Sequence, residues 1–382
     1  MSNTELTIEN RQLTLFRYPQ NTQQQLQAWD AGDEYLINYV EQLNLEDHQH
    51  ILILNDHFGA LAAWFSKRHK VTAVSDSFIA TQGAKENLQR NECQEVEFLS
   101  SLDPLPKHID LVLLQIPKNN RYLSWQLSQL HQVVNADTQV IAVNKVKDIH
   151  TSTLKLFERY LGVTTTSLAW KKHRLVFVTP DPQIKQTPPE DMVWQTEADQ
   201  LTVHNLANVF SGESLDIGAR FLLEHIPQDP ELKHIIDLGC GNGVLSVKAA
   251  LLNPQAKITS VDESYMAVVS CLRNLQQNVP QDEQSEGRFN CIANNCLDGF
   301  AADYCDLVLC NPPFHQQNAI TDHIAWQMFC DAKHVLATGG RILVIGNRHL
   351  RYDVKLVRLF GKQQVKTVAA NHKFVILQAI KR

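Results

Sequence analysis

Ile235-Ile-Asp-Leu-Gly-Cys-Gly-Asn-Gly-Val-Leu245 can be laid over Ile51-Leu-Ile-Leu-Asn-Asp-His-Phe-Gly-Ala-Leu61 without a gap. Two further stretches match in the same order: Asn274-Leu-Gln-Gln-Asn278 with Asn87-Leu-Gln-Arg-Asn91, and Asp306-Leu-Val-Leu-Cys-Asn-Pro-Pro-Phe314 with Asp110-Leu-Val-Leu-Leu-Gln-Ile-Pro-Lys118. Gapless matches this far apart imply a duplicated domain rather than a short-period solenoid. The fold must therefore be one that 382 residues can build twice. In each half, short apolar runs such as Ile51–Leu54 and Asp110–Leu114 alternate with helical patterns such as 33–43. That alternation predicts a mostly parallel, doubly wound α/β sheet. A short strand pair over 5–18 is echoed by Val193-Trp194 and Leu201–Val203, and Trp29-Asp30-Ala-Gly32 by Leu215-Asp216-Ile-Gly218.

Thr179-Pro-Asp-Pro-Gln-Ile-Lys-Gln-Thr-Pro-Pro-Glu190 is the proline-rich polar stretch of the chain and reads as a linker. The expected division is a first domain over 1–178, a linker over 179–192 and a second domain over 193–382. No apolar run reaches the ~18–20 residues of a membrane span, and the N-terminus lacks a signal-peptide pattern. The 8 cysteines form no C-x-x-C pair and no His completes a zinc pattern, so reduced core thiols in a cytoplasmic protein, without metal, are expected. A net charge of −6 argues against unspecific coating of nucleic acid and leaves room for a local basic patch.

The chemistry gathers in the second half. Leu307–Cys310 reads as a buried strand that Pro312 and Pro313 cannot continue, which holds Asn311 at its C-terminal edge. Open α/β sheets place ligands at that edge. The Asn311 amide, the Pro312 carbonyl and the Phe314 ring suit a flat ring bearing an exocyclic NH2, two acceptors taking its hydrogens while the aromatic face stacks. Upstream, Asp237-Leu-Gly239-Cys-Gly241-Asn-Gly243 turns from a strand into a helix. Its G-x-G-x-G spacing differs from the dinucleotide pattern, and the preceding acid can hold an ammonium group. Asp262 ends the next strand, where a carboxylate can accept from both ribose hydroxyls, and Asn295 follows the strand Phe289–Ala293, placed for an adenine edge. Taken alone, each has a plainer reading as a turn or a helix cap. At three successive sites on one sheet edge they are jointly specific.

With these motifs the sequence resembles class I S-adenosylmethionine-dependent methyltransferases of the exocyclic-amine type. Val209-Phe210-Ser211 with Leu215-Asp216-Ile-Gly218, Asn-Pro-Pro-Phe-His315 and the duplicated first half extend the resemblance to the bacterial ribosomal RNA guanine-N2 methyltransferases, the large-subunit branch above all. The branch is favoured by His150–Leu154, Ala169–Lys172, Pro312–Gln317 and Asn347–Leu350. The resemblance implies two tandem Rossmann-like domains, the first degenerate, with S-adenosylmethionine as cofactor and 23S ribosomal RNA as partner. It implies cofactor contacts at Asp237, Gly239, Gly241, Gly243, Asp262, Asn295, Phe210 and Asp216, and amine contacts at Asn311, Pro312 and Phe314.

The first half has lost these residues one by one. Ile53 stands in place of Asp237, Asn55 of Gly239, His57 of Gly241, Ser75 of Asp262, and Gln115-Ile-Pro-Lys118 replaces the amine-holding turn. Side chains at Asn55 and His57 are expected to fill the cofactor's space. The resemblance implies that this half recognises RNA; Lys145, Lys147, Lys171, Lys172 and Arg174, with Trp170 among them, form its best basic patch. Competing readings are a small-subunit (16S) enzyme, an adenine-N6 or protein-glutamine methyltransferase, and a non-catalytic RNA-binding assembly factor. Cytosine-C5 chemistry would need a cysteine nucleophile elsewhere than Cys310.

Overall fold

The computed structural model describes residues 4–20, 26–280, 287–313 and 319–382. The chain opens on an antiparallel hairpin, β1 (Glu5–Ile8) and β2 (Arg11–Thr14), with Leu6 opposite Leu13. Asp30 starts helix α1 (Ala31–Gln42): it accepts from the Gly32 and Asp33 amides, and Asp33 accepts in return from the Asp30 N–H. Strand and helix then alternate through β3 (His50–Leu54), α2 (Ala60–Phe65), β4 (Lys70–Ser75), α3 (Phe78–Arg90), β5 (Glu97–Ser100), β6 (Leu111–Gln115), α4 (Asn120–His131), β7 (Gln139–Lys145), α5 (Thr151–Tyr160), β8 (Gly162–Thr166) and β9 (His173–Pro180). The sheet order is β5-β4-β3-β6-β7-β9-β8, parallel except for β9.

The second half repeats this. After the hairpin β10 (Met192–Gln195) and β11 (Thr202–Asn205) come α6 (Ile217–Leu223), β12 (His234–Leu238), α7 (Val244–Leu252), β13 (Lys257–Asp262), α8 (Tyr265–Asn278), β14 (Phe289–Ala293), β15 (Cys305–Cys310), α9 (Ala319–Val335), β16 (Leu336–Asn347), α10 (Tyr352–Phe360), β17 (Val365–Ala370) and β18 (Phe374–Ile380). The order β14-β13-β12-β15-β16-β18-β17 is that of the first sheet, and β18 alone runs antiparallel. The chain forms two compact units, Met1–Glu190 and Asp191–Arg382. Thr179 and Pro180 belong to β9 and Met192 to β10, so the stretch between strands is 181–191, shorter than the linker expected from composition.

Both sheets are covered on both faces, which is why their central strands are apolar throughout. In β3, Ile51 and Ile53 enter one core and Leu52 and Leu54 the other. In β15, Leu307 and Leu309 alternate in the same way with Val308 and Cys310. Each of these residues is essentially fully buried, and each such side chain contributes on the order of 1.5–3 kcal/mol.

The polar positions shared by the two copies prove to be clamps. Asn87 Oδ1 accepts from the Phe16 amide (3.0 Å) and its Nδ2 donates to the Phe16 carbonyl (2.8 Å), while Asn91 makes the same pair with Thr14, each bond 2.8 Å. In the second copy Asn274 does this with His204 and Asn278 with Thr202. Four residues of helix rise ~6 Å and two of strand ~6.7 Å, so amides one helical turn apart meet alternate residues of a strand. Each helix thus bonds the hairpin as a sheet neighbour would. Likewise, the carboxylates of Asp110 and Asp306 accept from the His50 and His234 amides at the starts of β3 and β12.

Candidate active site

The end of β12, the ends of β13 and β15 and the start of α7 converge at the C-terminal edge of the second sheet. Asp237 lies in β12 with no solvent exposure. Its Oδ2 accepts from Ser246 Oγ (2.6 Å), which also meets Ser260 Oγ at 2.7 Å, and its Oδ1 has no partner. Burial pushes its pKa up to about 7; the Ser246 bond opposes the rise, and Cys271 and Asp262 add to it.

The three glycines that follow divide by role. Gly243 has φ +81° and caps α7, and a Cβ there would lie 2.4 Å from Cys271 Sγ on α8. Its counterpart Gly59, φ +82°, would meet Ala84 of α3 at 2.7 Å. This glycine serves helix packing in both copies. Gly241 has φ +53° and nothing within 4 Å of its Cβ position, and Gly239 has φ +77° with Met328 Cε at 3.3 Å and the Asn311 carbonyl at 3.9 Å. The room above Gly241 and the nearness of Gly239 to Asn311 make an open floor beside the Asn-Pro-Pro turn. It is these two glycines that the first copy has replaced.

Asp262 closes β13, its Oδ2 accepting from the Gly241 amide (2.9 Å) and its Oδ1 from the Ser264 amide (3.0 Å). The carboxylate is held against the glycine loop by these two bonds. Asn311 follows β15 directly, with its Oδ1 buried and unpartnered, and precedes a buried Pro312. Phe314, with 315–318, lies outside the described residues. Asn295 is buried and its Oδ1 accepts from Gln327 Nε2 of α9 (3.2 Å), so its carbonyl is engaged by that helix. Asp216 caps α6, accepting from the Ala219 amide (2.8 Å), as Asp30 caps α1. Phe210 is 61% exposed, in a loop fixed over the start of α8 by Leu206 N–H to Ser270 Oγ and Asn208 N–H to Met266 Sδ.

Sequence reasoning missed a buried amide network under the loop. Asn242, between Gly241 and Gly243, donates to Asn205 Oδ1 (2.9 Å), and its carbonyl accepts from Asn274 Nδ2 (2.8 Å). At the matching place in the first copy, Arg17 lies 5.8 Å over the Phe58 ring and Asn87 Nδ2 donates to the Phe58 carbonyl. The repeated Asn-x-x-x-Asn was the visible signal.

In the first copy Asn55 keeps the left-handed backbone of the glycine it replaces, φ 65°. Its side chain exchanges bonds with Gln126 (2.9 and 3.1 Å) and donates to the Gln115 carbonyl (2.8 Å). Gln115 Nε2 in turn donates to buried Asp33, whose pKa burial raises well above the carboxylate range. Asn55 thus fills the space, as expected. His57 is exposed, at the position equivalent to Gly241, whose Cβ site is open. A cavity of about 10 Å³ beside Asp56 and Ser75 is room for one water.

Lys145, Lys147, Lys171 and Lys172 are all exposed at one corner, where the Val146 amide donates to the Lys172 carbonyl (2.9 Å). Lys171 and Lys172 occupy a tight turn with φ 43° and 64°, closed by paired bonds between Trp170 and His173. Trp170 is half-buried, Tyr35 at 5.4 Å and Lys171 Nζ at 4.5 Å from its ring, and Lys171 is paired with Glu34 at 2.6 Å. Trp170 therefore offers less stacking surface, and Lys171 less free charge, than the sequence suggested. Arg174 is half-buried. Among the described residues there is no helix long and apolar enough to cross a membrane and no cluster of His, Cys, Asp and Glu able to hold a metal.

The duplicated sheet order, the glycine floor and the carboxylate at the β13 end define a tandem S-adenosylmethionine-dependent methyltransferase fold. Residues 3–182 match the family model described as RLMG N-terminal domain, and 200–378 the methyltransferase small domain. A ribosomal RNA large subunit methyltransferase G from Vibrio vulnificus is 66% identical over 99% of this chain and 100% of its own length. One from Aliivibrio fischeri is 61% identical over 99% and 98%. The chain belongs to the ribosomal RNA large subunit methyltransferase G family. The same fold over 99% of this chain and 98% of the other, with TM-score 0.78 and 19% identity, is found in the T. thermophilus 16S rRNA N2 G1207 methyltransferase (RsmC) in complex with AdoMet and guanosine.

Proposed function

We propose that this chain methylates the exocyclic N2 amine of one guanine in 23S ribosomal RNA, in the cytoplasm. The observation that carries the reading is the Asn311 side-chain oxygen, buried without a partner just past the end of β15, on a residue whose backbone carbonyl lies 3.9 Å from a Cβ placed at Gly239. A buried acceptor left unsatisfied costs ~1–3 kcal/mol unless a ligand donates to it, and an amine hydrogen does so. The large-subunit branch follows from relatives above 60% identity that bear that name.

S-adenosylmethionine supplies a methyl group already activated on a sulfonium. The chain's own groups fit this cofactor: bare Asp237 Oδ1 suits its ammonium, the clear space at Gly241 its bulk, and Asp262 its ribose. Phe210, exposed, and Asn295, buried, are assigned to the adenine, and Asp216 positions the loop through its cap. Guanine N2 is a weak nucleophile because its lone pair is delocalised into the ring. Asn311 Oδ1 and the Pro312 carbonyl accept its two hydrogens, favouring the pyramidal amine and stabilising positive charge as it develops. Phe314 stacks on the base, worth ~1–3 kcal/mol on comparable platforms. Holding the amine in line contributes up to ~7–11 kcal/mol. The amine's proton leaves to water once nitrogen is methylated, so no strong base is required. The first domain, 1–178, is assigned to RNA recognition.

The test is mass spectrometry of ribosomal RNA from cells lacking this chain. One N2-methylguanosine should disappear from 23S RNA and return on complementation. A loss from 16S RNA, or of N6-methyladenosine instead, would overturn the assignment.

A further inference from the structure

β16 runs parallel to β15 with Val344 opposite Cys310, so the chain leaving β16 emerges beside the Asn-Pro-Pro turn. At ~3.3 Å per residue, Arg348 lies about 10 Å beyond the level of Asn311 along the strand direction. Residues 348–350 form a short 3-10 turn, and the hairpin between β17 and β18 folds against it. The Arg348 amide donates to the Lys373 carbonyl (3.0 Å) and Arg348 Nη1 to the Asn371 carbonyl (3.2 Å). Asn371 Oδ1 accepts from the Lys373 and Phe374 amides (2.9 and 2.7 Å). Tyr352 packs on Gly346, where a Cβ would lie 2.5 Å from its ring, and this fixes the turn from below.

This corner presents Arg348, His349, His372 and Lys373 to solvent. None of the four is in an ion pair among the described residues, whereas neighbouring Arg351 is paired with Asp353 at 3.1 Å. Arg348 uses one of its donors on a carbonyl, which leaves its charge uncompensated. The same backbone corner of the first copy carries Lys145, Lys147, Lys171 and Lys172, with Val146 bonded to Lys172 as Arg348 is to Lys373. There Glu34 takes up one of the charges.

We propose that Arg348, His349, His372 and Lys373 of the catalytic copy bind the phosphate backbone of the substrate RNA next to the reacting base. The inference rests on the proposed RNA substrate. Arg348 and Lys373, cations without an ion-pair partner among the described residues, stand with two imidazoles on a rigid turn at the sheet edge that holds the amine acceptor, and fit a polyanion whose base enters the site. Phosphate contacts carry no base sequence but set register, and here they would set how deeply the target nucleotide reaches toward Asn311.

The test uses full-length protein and a 23S RNA transcript lacking the modification. The comparison is wild type against R348Q/K373Q, with R348K as the conservative variant. Each lost phosphate contact lowers the slope of log K against log salt by ~0.7–0.9. The double variant should therefore lose about 1.4–1.8 in slope and roughly twentyfold in affinity at 0.15 M salt, since such contacts are worth little at 1 M. S-adenosylhomocysteine affinity should stay unchanged and R348K should bind RNA nearly as wild type. An unchanged slope in a double variant whose wild type methylates the transcript overturns this surface and leaves the proposed function standing. A wild type that neither binds nor methylates the RNA overturns both.

Discussion

Replacing Asp237 by Asn tests the buried carboxyl directly. The side chain is fully buried, one oxygen is bare, and burial raises its pKa from the ordinary 3.8 to about 7. A raised pKa means that the folded state holds the proton more tightly than the unfolded chain. The associated stability is present below pH ~4, is lost progressively as pH rises, and is gone above ~7. At ~1.4 kcal/mol per pH unit the whole loss is about 4 kcal/mol, of which about 3 kcal/mol falls between pH 5 and 8. Asn has the same shape and no charge, so D237N should gain about 3 kcal/mol relative to wild type over that interval. Urea denaturation of both full-length proteins at pH 5, 6, 7 and 8 measures the difference. Parallel stability curves would refute the reasoning. A second readout concerns the cofactor. If its ammonium meets Asp237 Oδ1, binding S-adenosylhomocysteine at pH 6 should release about 0.9 proton, falling toward 0.1 at pH 8. Calorimetry in buffers of different ionisation heat counts those protons, and a count of zero at pH 6 would remove Asp237 from the ammonium site.

Asp262→Ala should weaken S-adenosylhomocysteine binding while Asn311→Ala leaves it intact and abolishes methyl transfer; equal losses of affinity in calorimetry would void that division of roles. Asn278→Ala strips both partners from the Thr202 backbone and should cost about 2 kcal/mol in denaturant titration, with Asn91→Ala costing the same in the first copy. Gly243→Ala and Gly59→Ala both force a Cβ into the neighbouring helix at positive φ and should each destabilise by at least ~2 kcal/mol, but only the former should lower cofactor affinity. Similar affinity losses in the two would mean that the copies are coupled.

The fold was readable because its apolar runs are short, strongly periodic and repeated. Phe289–Ala293 appears as a strand with the expected bounds, and the Ile51–Leu54 run proves one residue longer. The placement of the candidate site was readable where a residue falls at a strand end, as Asp262 does at β13 and Asn311 just past β15. It was less readable where one residue type serves two ends. Gly243 and Asp216 sit in the motif, yet Gly243 answers to helix packing and Asp216 to a cap. Asn55 was foreseen as a plug, but its partner Gln126 lies 71 residues away and carries no local signal. His57 is exposed, and the direction of a Cβ from a loop cannot be inferred from spacing. Trp170 looked available because sequence shows an aromatic beside cations, not that Tyr35 and Lys171 already pack against it.

The plug in the first copy has an evolutionary consequence. Asn55 is tied at once to Gln126 and to the Gln115 carbonyl, and Gln115 to Asp33. Reverting Asn55 to glycine alone would strand the Gln126 amide, and reverting Ile53 to aspartate alone would bury a carboxyl in an apolar core; each step costs stability before any cofactor can repay it. The way back runs uphill at both of these substitutions, like a ratchet. A chain so arranged is free to reshape its first domain for other work, because drift cannot return it to competing for the cofactor of the second.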